Sequence, residues 1–193
     1  MTNANLPKKL TKVLLSAAVS AGLLLSLSTA ANATVLEQAK RMHDRLAGVP
    51  PTTAVLNSMA ALLPGNPRAA ANIAMNDQNF LNVTVKNMVT PWTNKDQTVF
   101  YPFNDAAATL VGMVRDDVDF RQALYGDIIY TGTGGNPALP AYSRINNNHY
   151  AEMERQNIPF STGLVRENAQ TPRTGIPATA TSGVLTTRQS ARA

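Results

Sequence analysis

The stretch Asp105-Ala-Ala-Ala-Thr-Leu-Val-Gly-Met-Val-Arg115 decides the fold class of this chain. Asp105 is a residue type that caps helices, because its short carboxylate accepts hydrogen bonds from the free amides of the first turn. Leu110, Val111 and Val114 follow at the spacing of one helix face. The stretch therefore predicts a helix over Ala106 to Arg115 with these three side chains in the core.

Helix-like segments also precede this stretch. Thr34 to Leu46 has one apolar face, made of Leu36, Ala39, Met42, His43 and Leu46, and Gly48 with Pro50-Pro51 ends it. A second helix, Ala54 to Leu63, is capped by Thr52 or Thr53, and a third runs from Pro67 to Met75. Asp77 caps a fourth, which ends before Pro91 and is expected to bury Phe80, Val83 and Met88.

Asp117 or Asp119 caps one more helix after the central stretch, running through Phe120 and Leu124 to Ile128-Ile129. No segment shows sustained alternation of apolar and polar residues, which is the mark of a strand. The sequence therefore predicts an all-α fold, an irregular helical bundle of about five to six helices within residues 34–130.

The composition changes after Tyr130. Residues 131–160 read as a loop-rich extension with one short helix over His149 to Gln156. Residues 161–193 are mainly Thr, Ser, Ala, Gly, Pro and Arg, and such a segment offsets its ordering entropy only by packing on something else. We expect a partly disordered, poorly structured tail that resembles the start of a missing domain.

The first 33 residues have the layout of a secretory signal peptide. Lys8, Lys9 and Lys12 precede an uncharged, largely apolar run from Val13 to Ala30, and Ala31-Asn-Ala33 is a cleavage site before Thr34. The apolar run is also just long enough to be an uncleaved membrane anchor. Cleavage is the favoured prediction, and it gives an exported protein of the periplasm or the extracellular space, with no membrane span after the signal is removed.

Charge and cysteine content exclude several classes of function. Removing the signal takes away three of the 17 basic residues and none of the 12 acidic ones, so the mature chain is only weakly basic and shows no basic stripe for nucleic acid. The chain has no Cys, which excludes disulfides, thiolate zinc sites and covalent haem attachment through C-x-x-C-H. No cofactor is expected in this chain.

Aromatic residues gather in and beside the loop from Asn94 to Asn104. Trp92, Phe100, Tyr101 and Phe103 are candidates for a contact surface. The same side chains are also the type that ties a loop to a bundle, and a ligand platform is a third interpretation.

Residues of catalytic or metal-binding type are few. Asp116, Asp117 and Asp119 are candidate metal ligands, although Asp at such positions also caps helices. The two histidines, His43 and His149, lack metal-ligand spacing, and Gly132-Thr-Gly-Gly135 lacks the context of a phosphate-binding loop. No serine has the setting of a nucleophile, so an enzyme is the less favoured prediction.

Three short segments resemble the planctomycete-type cytochrome-associated secreted domains of unknown function. Arg45-Leu-Ala-Gly-Val-Pro-Pro-Thr52 is similar to their LTG-x-PPT turn, and Val114 to Leu124 is similar to their RDD-x-xF helix. Ser182-Gly-Val-Leu-Thr-Thr187 resembles their GVLT segment, although Thr181 or Ser182 stands in the place of the usual Arg. The resemblance covers roughly residues 36–188 and carries no catalytic positions.

The resemblance implies a truncated or split protein whose haem-bearing part is absent from this chain. The first hypothesis is therefore a non-enzymatic helical module of an exported cytochrome-like envelope protein, acting as a scaffold or contact surface for a protein partner or a haem-bearing module. The alternative is a free-standing small periplasmic protein that binds a ligand or a partner.

The size of the native product separates these two hypotheses. Envelope fractions are run on a denaturing gel, probed with an antibody to residues 34–130 and stained for haem peroxidase activity. The first hypothesis predicts a haem-positive polypeptide that is much larger than the 20.6 kDa chain. A haem-free product smaller than 20.6 kDa would contradict it and favour the free-standing protein.

Overall fold

The computed structural model describes residues 33–132 and 138–188 of the chain. The predicted signal peptide, apart from Ala33, lies outside the described residues. So do residues 133–137, which include most of the glycine-rich loop, and residues 189–193 of the predicted tail.

Three helices form the first part of the fold: α1 (Val35–Leu46), α2 (Thr53–Leu62) and α3 (Pro67–Met75). Each begins at a side-chain cap, since Thr34, Thr52 and Asn66 accept hydrogen bonds from first-turn amides. Gly48 adopts a φ of +74° after α1, a conformation that favours glycine and turns the chain towards α2. These helices confirm the first three helices predicted from the sequence.

A small core lies between these helices. Ala39, Met59, Ala70 and Ala74 are buried in it, and Met42 and Leu46 pack against them. Leu36, in the first turn of α1, does not join them and is exposed.

The fourth predicted helix is a π-helical turn (Phe80–Val85), followed by α4 (Lys86–Val89) and a 3₁₀ turn (Thr90–Thr93). The wider π turn shifts the helical register, so that Leu81, Val85 and Val89 face the core. The expectation that Met88 points inward is therefore wrong, and its side chain is exposed.

Helix α5 (Asp105–Arg115) is the centre of the larger core. All residues from Asp105 to Met113 are buried, which means that the helix is covered on every side. Its cap is Asn104, whose Oδ1 accepts from the amide of Ala107 at 3.0 Å, whereas Asp105 is the first residue of the helix. The prediction of Asp105 as the cap was wrong by one residue.

The predicted helix from Asp117 or Asp119 to Ile129 is also wrong in length. The helical part is α6 (Gln122–Tyr125), and the extended backbone at Gly126 ends it. The β-branched Ile128 and Ile129 are buried and lead into strand β1 (Tyr130–Gly132).

The chain after β1 continues through short elements. These are α7 (Asn148–Arg155), α8 (Phe160–Gly163), β2 (Leu164–Arg166), α9 (Thr171–Thr174) and two 3₁₀ turns (Ala178–Ala180 and Gly183–Thr186). β2 pairs antiparallel with β1, with Thr131 opposite Val165. Three residues per strand are too few for an alternating pattern to appear in the sequence.

Gln170 fastens the C-terminal segment to the core. Its side chain is fully buried, and its Nε2 donates to Ile128 O at 2.7 Å and to Gly183 O at 2.6 Å. Its backbone amide donates to Asp127 Oδ1, and the Thr186 hydroxyl donates to its Oε1. These bonds supply the packing partner that this polar segment needs in order to be ordered.

The fold is an irregular, predominantly helical bundle with a loop-rich C-terminal segment, which confirms the predicted fold class. Its sheet, within residues 33–132 and 138–188, is the two-stranded pair of β1 and β2.

Helix α5 and strand β1 approach each other closely at Gly112. A Cβ at Gly112 would lie 2.2 Å from Cδ1 of Tyr130, so we expect Gly112→Ala to lower the free energy of unfolding by about 1–3 kcal/mol despite the better helix propensity of Ala. Denaturant titration measures the change. Gly65→Ala is the matched control, because its Cβ has no neighbour within 4 Å. A Gly112→Ala variant as stable as the wild type would contradict the packing described here.

Candidate functional site

An apolar groove of about 200 Å³ opens on the surface beside α5. Leu110 and Ala106 of α5 line it, together with Ala123 of α6. Around them lie four large side chains that remain substantially exposed: Trp92 (63%), Phe120 (47%), Leu124 (62%) and Leu185 (55%). None of the residues that line the groove is charged. We call this surface the apolar groove.

The last 3₁₀ turn forms one wall of the groove because it docks tightly on α6. Gly183 has a φ of +52°, and a Cβ there would lie 2.0 Å from the carbonyl oxygen of Ala123. The Gly183 amide donates to Gly126 O at 2.8 Å, and the Ser182 hydroxyl donates to Leu124 O at 2.6 Å. Leu185 is therefore held beside Leu124.

The structure separates the four aromatic residues of the predicted contact surface. Trp92 lines the apolar groove, whereas Phe100 is 92% exposed and is not among the groove residues. Tyr101 is half-buried. Of the four, only Trp92 lies at the groove.

Phe103 does not belong to a contact surface, and this part of the prediction is wrong. Its side chain is fully buried, stacked on Phe160 with ring centroids 4.2 Å apart and edge-on to Tyr150 at 6.1 Å. It ties the loop before α5 to the core, which is the second role predicted for these aromatic side chains from the sequence.

Phe120, Leu124 and Leu185 are groove residues that the sequence analysis did not single out as a surface. Phe120 and Leu124 lie on the predicted helix after α5, and Leu185 lies in the segment with the family resemblance. Their shared surface arises from contacts between segments about sixty residues apart, as in the bond from Ser182 to Leu124. Local periodicity carries no information on such contacts.

Two of the three candidate metal ligands, Asp116 and Asp119, have other partners. Asp116 accepts from Arg115 Nε at 2.7 Å and from the Tyr130 hydroxyl at 2.7 Å, and the bond from Arg115 is the main reason that the pKa of Asp116 is lowered. Asp119 forms an ion pair with Arg121, which lowers its pKa. Asp117 has a φ of +50° in the turn after α5. Among the described residues, no group of three or more His, Asp or Glu is placed to hold a metal ion.

His149 lies at the wall of a second, more polar cleft of about 510 Å³. Its Nε2 accepts from the Gly132 amide at 2.8 Å, so the ring proton is on Nδ1, which lies 2.7 Å from Pro140 O and donates to it. Both ring nitrogens are therefore occupied by the backbone. His149 positions the loop after β1 and has no nitrogen free for a metal or a substrate.

Glu167 and Arg173 form the polar side of the same cleft. Arg173 Nη2 lies 2.6 Å from Glu167 Oε1, and the Thr131 hydroxyl donates to the same oxygen at 2.5 Å. We call this space the histidine cleft.

His43 has a separate structural role near the start of the chain. It is buried between α1 and the loop that follows, with Nδ1 2.9 Å from Val49 O and Nε2 3.7 Å from Asp77 Oδ2. The two histidines thus contact different partners.

Comparison with known proteins finds no match among family models, curated proteins or solved structures. The resemblance to cytochrome-associated domains stays a prediction. In the described part of the chain, no helix has the length and apolar character needed to cross a membrane.

The neutral state of His149 makes the stability of the fold depend on pH. Burial is the main reason that its pKa is lowered below the ordinary value of 6.5. The unfolded chain therefore binds a proton more readily than the folded protein. The stabilisation that the neutral ring contributes is fully present above about pH 6.5 and is lost as pH falls from there through the lower pKa of the folded protein. We expect the free energy of unfolding of the wild type to decrease as the pH is lowered from about 8 to about 5.

His149→Gln keeps an acceptor for the Gly132 amide and removes the titration, so its unfolding free energy should depend less on pH over the same range. The measured quantity is the difference in slope between the two proteins, which an overall loss of stability in the variant does not affect. Equal slopes for the wild type and His149→Gln would mean that His149 does not cause the pH dependence.

Proposed function

We propose that this chain is a non-enzymatic contact module of an exported cell-envelope protein, and that it binds a protein partner through the apolar groove. The observation that carries the proposal is the convergence of Trp92, Phe120, Leu124 and Leu185 on one exposed, uncharged groove. Exposed aromatic and large aliphatic side chains around a pocket are typical of the centres of protein interfaces.

The occupant that best fits the groove is an apolar segment of a protein. The volume of about 200 Å³ is smaller than the pockets that enclose drug-sized ligands or cofactors, which measure about 300–1,000 Å³. It is large enough for one or two apolar side chains of a partner. An uncharged lining disfavours a charged ligand, because nothing in the groove would compensate the loss of hydration.

The haem-bearing module implied by the family resemblance is our candidate for the partner. A haem group itself is not expected in the groove, given its volume. The export proposed from residues 1–33 places both proteins on the same side of the membrane.

A free-standing ligand-binding protein is the second candidate, and the histidine cleft is the observation that favours it. Its volume of about 510 Å³ lies within the range of ligand pockets, and it combines apolar walls with the Glu167–Arg173 pair.

Site-specific photocrosslinking in intact cells tests the proposed partner surface. A benzoylphenylalanine at position 185 is expected to give one discrete adduct, whereas the same probe at the exposed Ile145, away from the groove, gives none. The additional substitution Leu124→Asp places a charge in the groove and should abolish the adduct. No adduct at position 185, or equal adducts at both positions, would overturn the proposal.

Trp92 provides a second readout with the purified partner, because it is the only tryptophan of the chain. Binding in the groove should shift its emission to shorter wavelength and reduce its quenching by acrylamide. Unchanged emission on binding would mean that the partner uses another surface.

A further inference from the structure

A third cleft, of about 320 Å³, lies on the other side of Tyr142 from the histidine cleft. The loop before α7 lines it with Arg144, and the C-terminal segment lines it with Thr174, Thr187 and Arg188. Among the described residues that line it, two are basic and none is acidic. We call it the arginine cleft.

The hydrogen-bond partners of the two arginines distinguish them from other arginines of the protein. Arg144 Nη1 donates to Thr174 O at 3.2 Å, and Arg188 Nη2 donates to Asn147 Oδ1 at 2.9 Å. Both acceptors are neutral oxygens. In contrast, ion pairs with carboxylates are formed by Arg115, Arg121, Arg155 and Arg173. A guanidinium carries five N–H donors, so these single bonds leave donors available to a ligand.

The side chain of Arg144 and the backbone of Arg188 are each held in place by neighbouring residues. Gly175 has a φ of +74°, and a Cβ there would lie 2.1 Å from Arg144 Nη1, so the guanidinium packs on a surface that only glycine provides. The amide of Arg188 donates to Asp105 Oδ2 at 2.7 Å, which attaches this residue to the buried start of α5. Such pre-organisation reduces the entropy lost when a ligand binds.

Tyr142 separates the arginine cleft from the histidine cleft and adds no negative charge to either. Burial, followed by the nearby charge of Asp105, raises the pKa of Tyr142 to about 12. The carboxylate of Asp105 is buried, and it accepts the amides of Ala106 and Arg188. Within the described residues, the carboxylate of Asp105 is thus already hydrogen-bonded and is not part of the lining of the cleft.

We propose that the arginine cleft binds a small oxyanion, a carboxylate or a phosphate group, between Arg144 and Arg188. Guanidinium groups bind both anions through paired, charge-assisted hydrogen bonds. The proposal is independent of the apolar groove, since the two sites share no lining residue.

Calorimetry and thermal unfolding of the mature chain test this site. Inorganic phosphate and citrate are titrated separately, with sodium chloride at equal ionic strength as the reference. We expect one of the two anions, or both, to bind with a one-to-one stoichiometry and to raise the Tm. Arg144→Gln and Arg188→Gln should each weaken binding about tenfold or more, because each removes a charged donor.

Arg121→Gln is the matched control, because Arg121 is an exposed arginine that pairs with Asp119 and does not line the cleft. This variant should bind the anion with the affinity of the wild type. Leu124→Asp should also bind the anion normally, so failure of the partner proposal would not affect this result. Arg188→Gln retains the hydrogen bond from its backbone amide to Asp105. If Arg188→Gln nevertheless unfolds, the anion affinity of Arg144→Gln tests the proposal. Absence of binding, an equal effect of sodium chloride, or equal binding by all variants would overturn the proposal.

Discussion

The rest of the structure depends on the burial of α5 from Asp105 to Met113. A helix that is covered on all sides cannot lie at the edge of a bundle, so segments from both directions along the chain must surround it. Its small residues, Ala106 to Ala108 and Gly112, allow close contact, and the ring of Tyr130 lies directly against Gly112. The core therefore requires the strands and the C-terminal segment as much as the helices that precede them.

Polar side chains connect these later segments to the ends of α5. At its C-terminal end, Arg115 Nη1 donates to Leu164 O at 2.5 Å, which holds β2. At its start, Asp105 holds the amide of Arg188, while Gln170 bridges the backbone of Ile128 and Gly183. Buried polar groups of this kind stabilise a structure only when their hydrogen bonds are made. They therefore favour one docked conformation of the C-terminal segment, which has few large apolar side chains of its own. The apolar groove and the arginine cleft both exist because this segment docks.

The sequence predicts the features that local chemistry decides. The cap of the second helix, predicted at Thr52 or Thr53 and found at Thr52, the stop at Gly48 and the helix that begins at Pro67 depend on neighbouring residues, and all are present. The exposed Met88 was not predictable from an α-helical period, because a π turn precedes it. The burial of Phe103 and the exposure of Leu124 depend on distant segments, which periodicity does not report. The apolar groove also depends on contacts between distant segments, so the sequence indicated Trp92 as a contact residue but not Phe120, Leu124 and Leu185.

Native-state hydrogen exchange of the protein tests most directly whether the C-terminal segment belongs to the α5 core. The amides of Gln170 and Gly183 donate to Asp127 Oδ1 and Gly126 O, so they report on docking, while the amides of α5 report on global unfolding. The account predicts that both sets exchange with similar protection and with the same dependence on denaturant. Rapid exchange at Gln170 and Gly183 beside a protected α5 would contradict it, and with it the existence of the groove and the cleft that the segment forms.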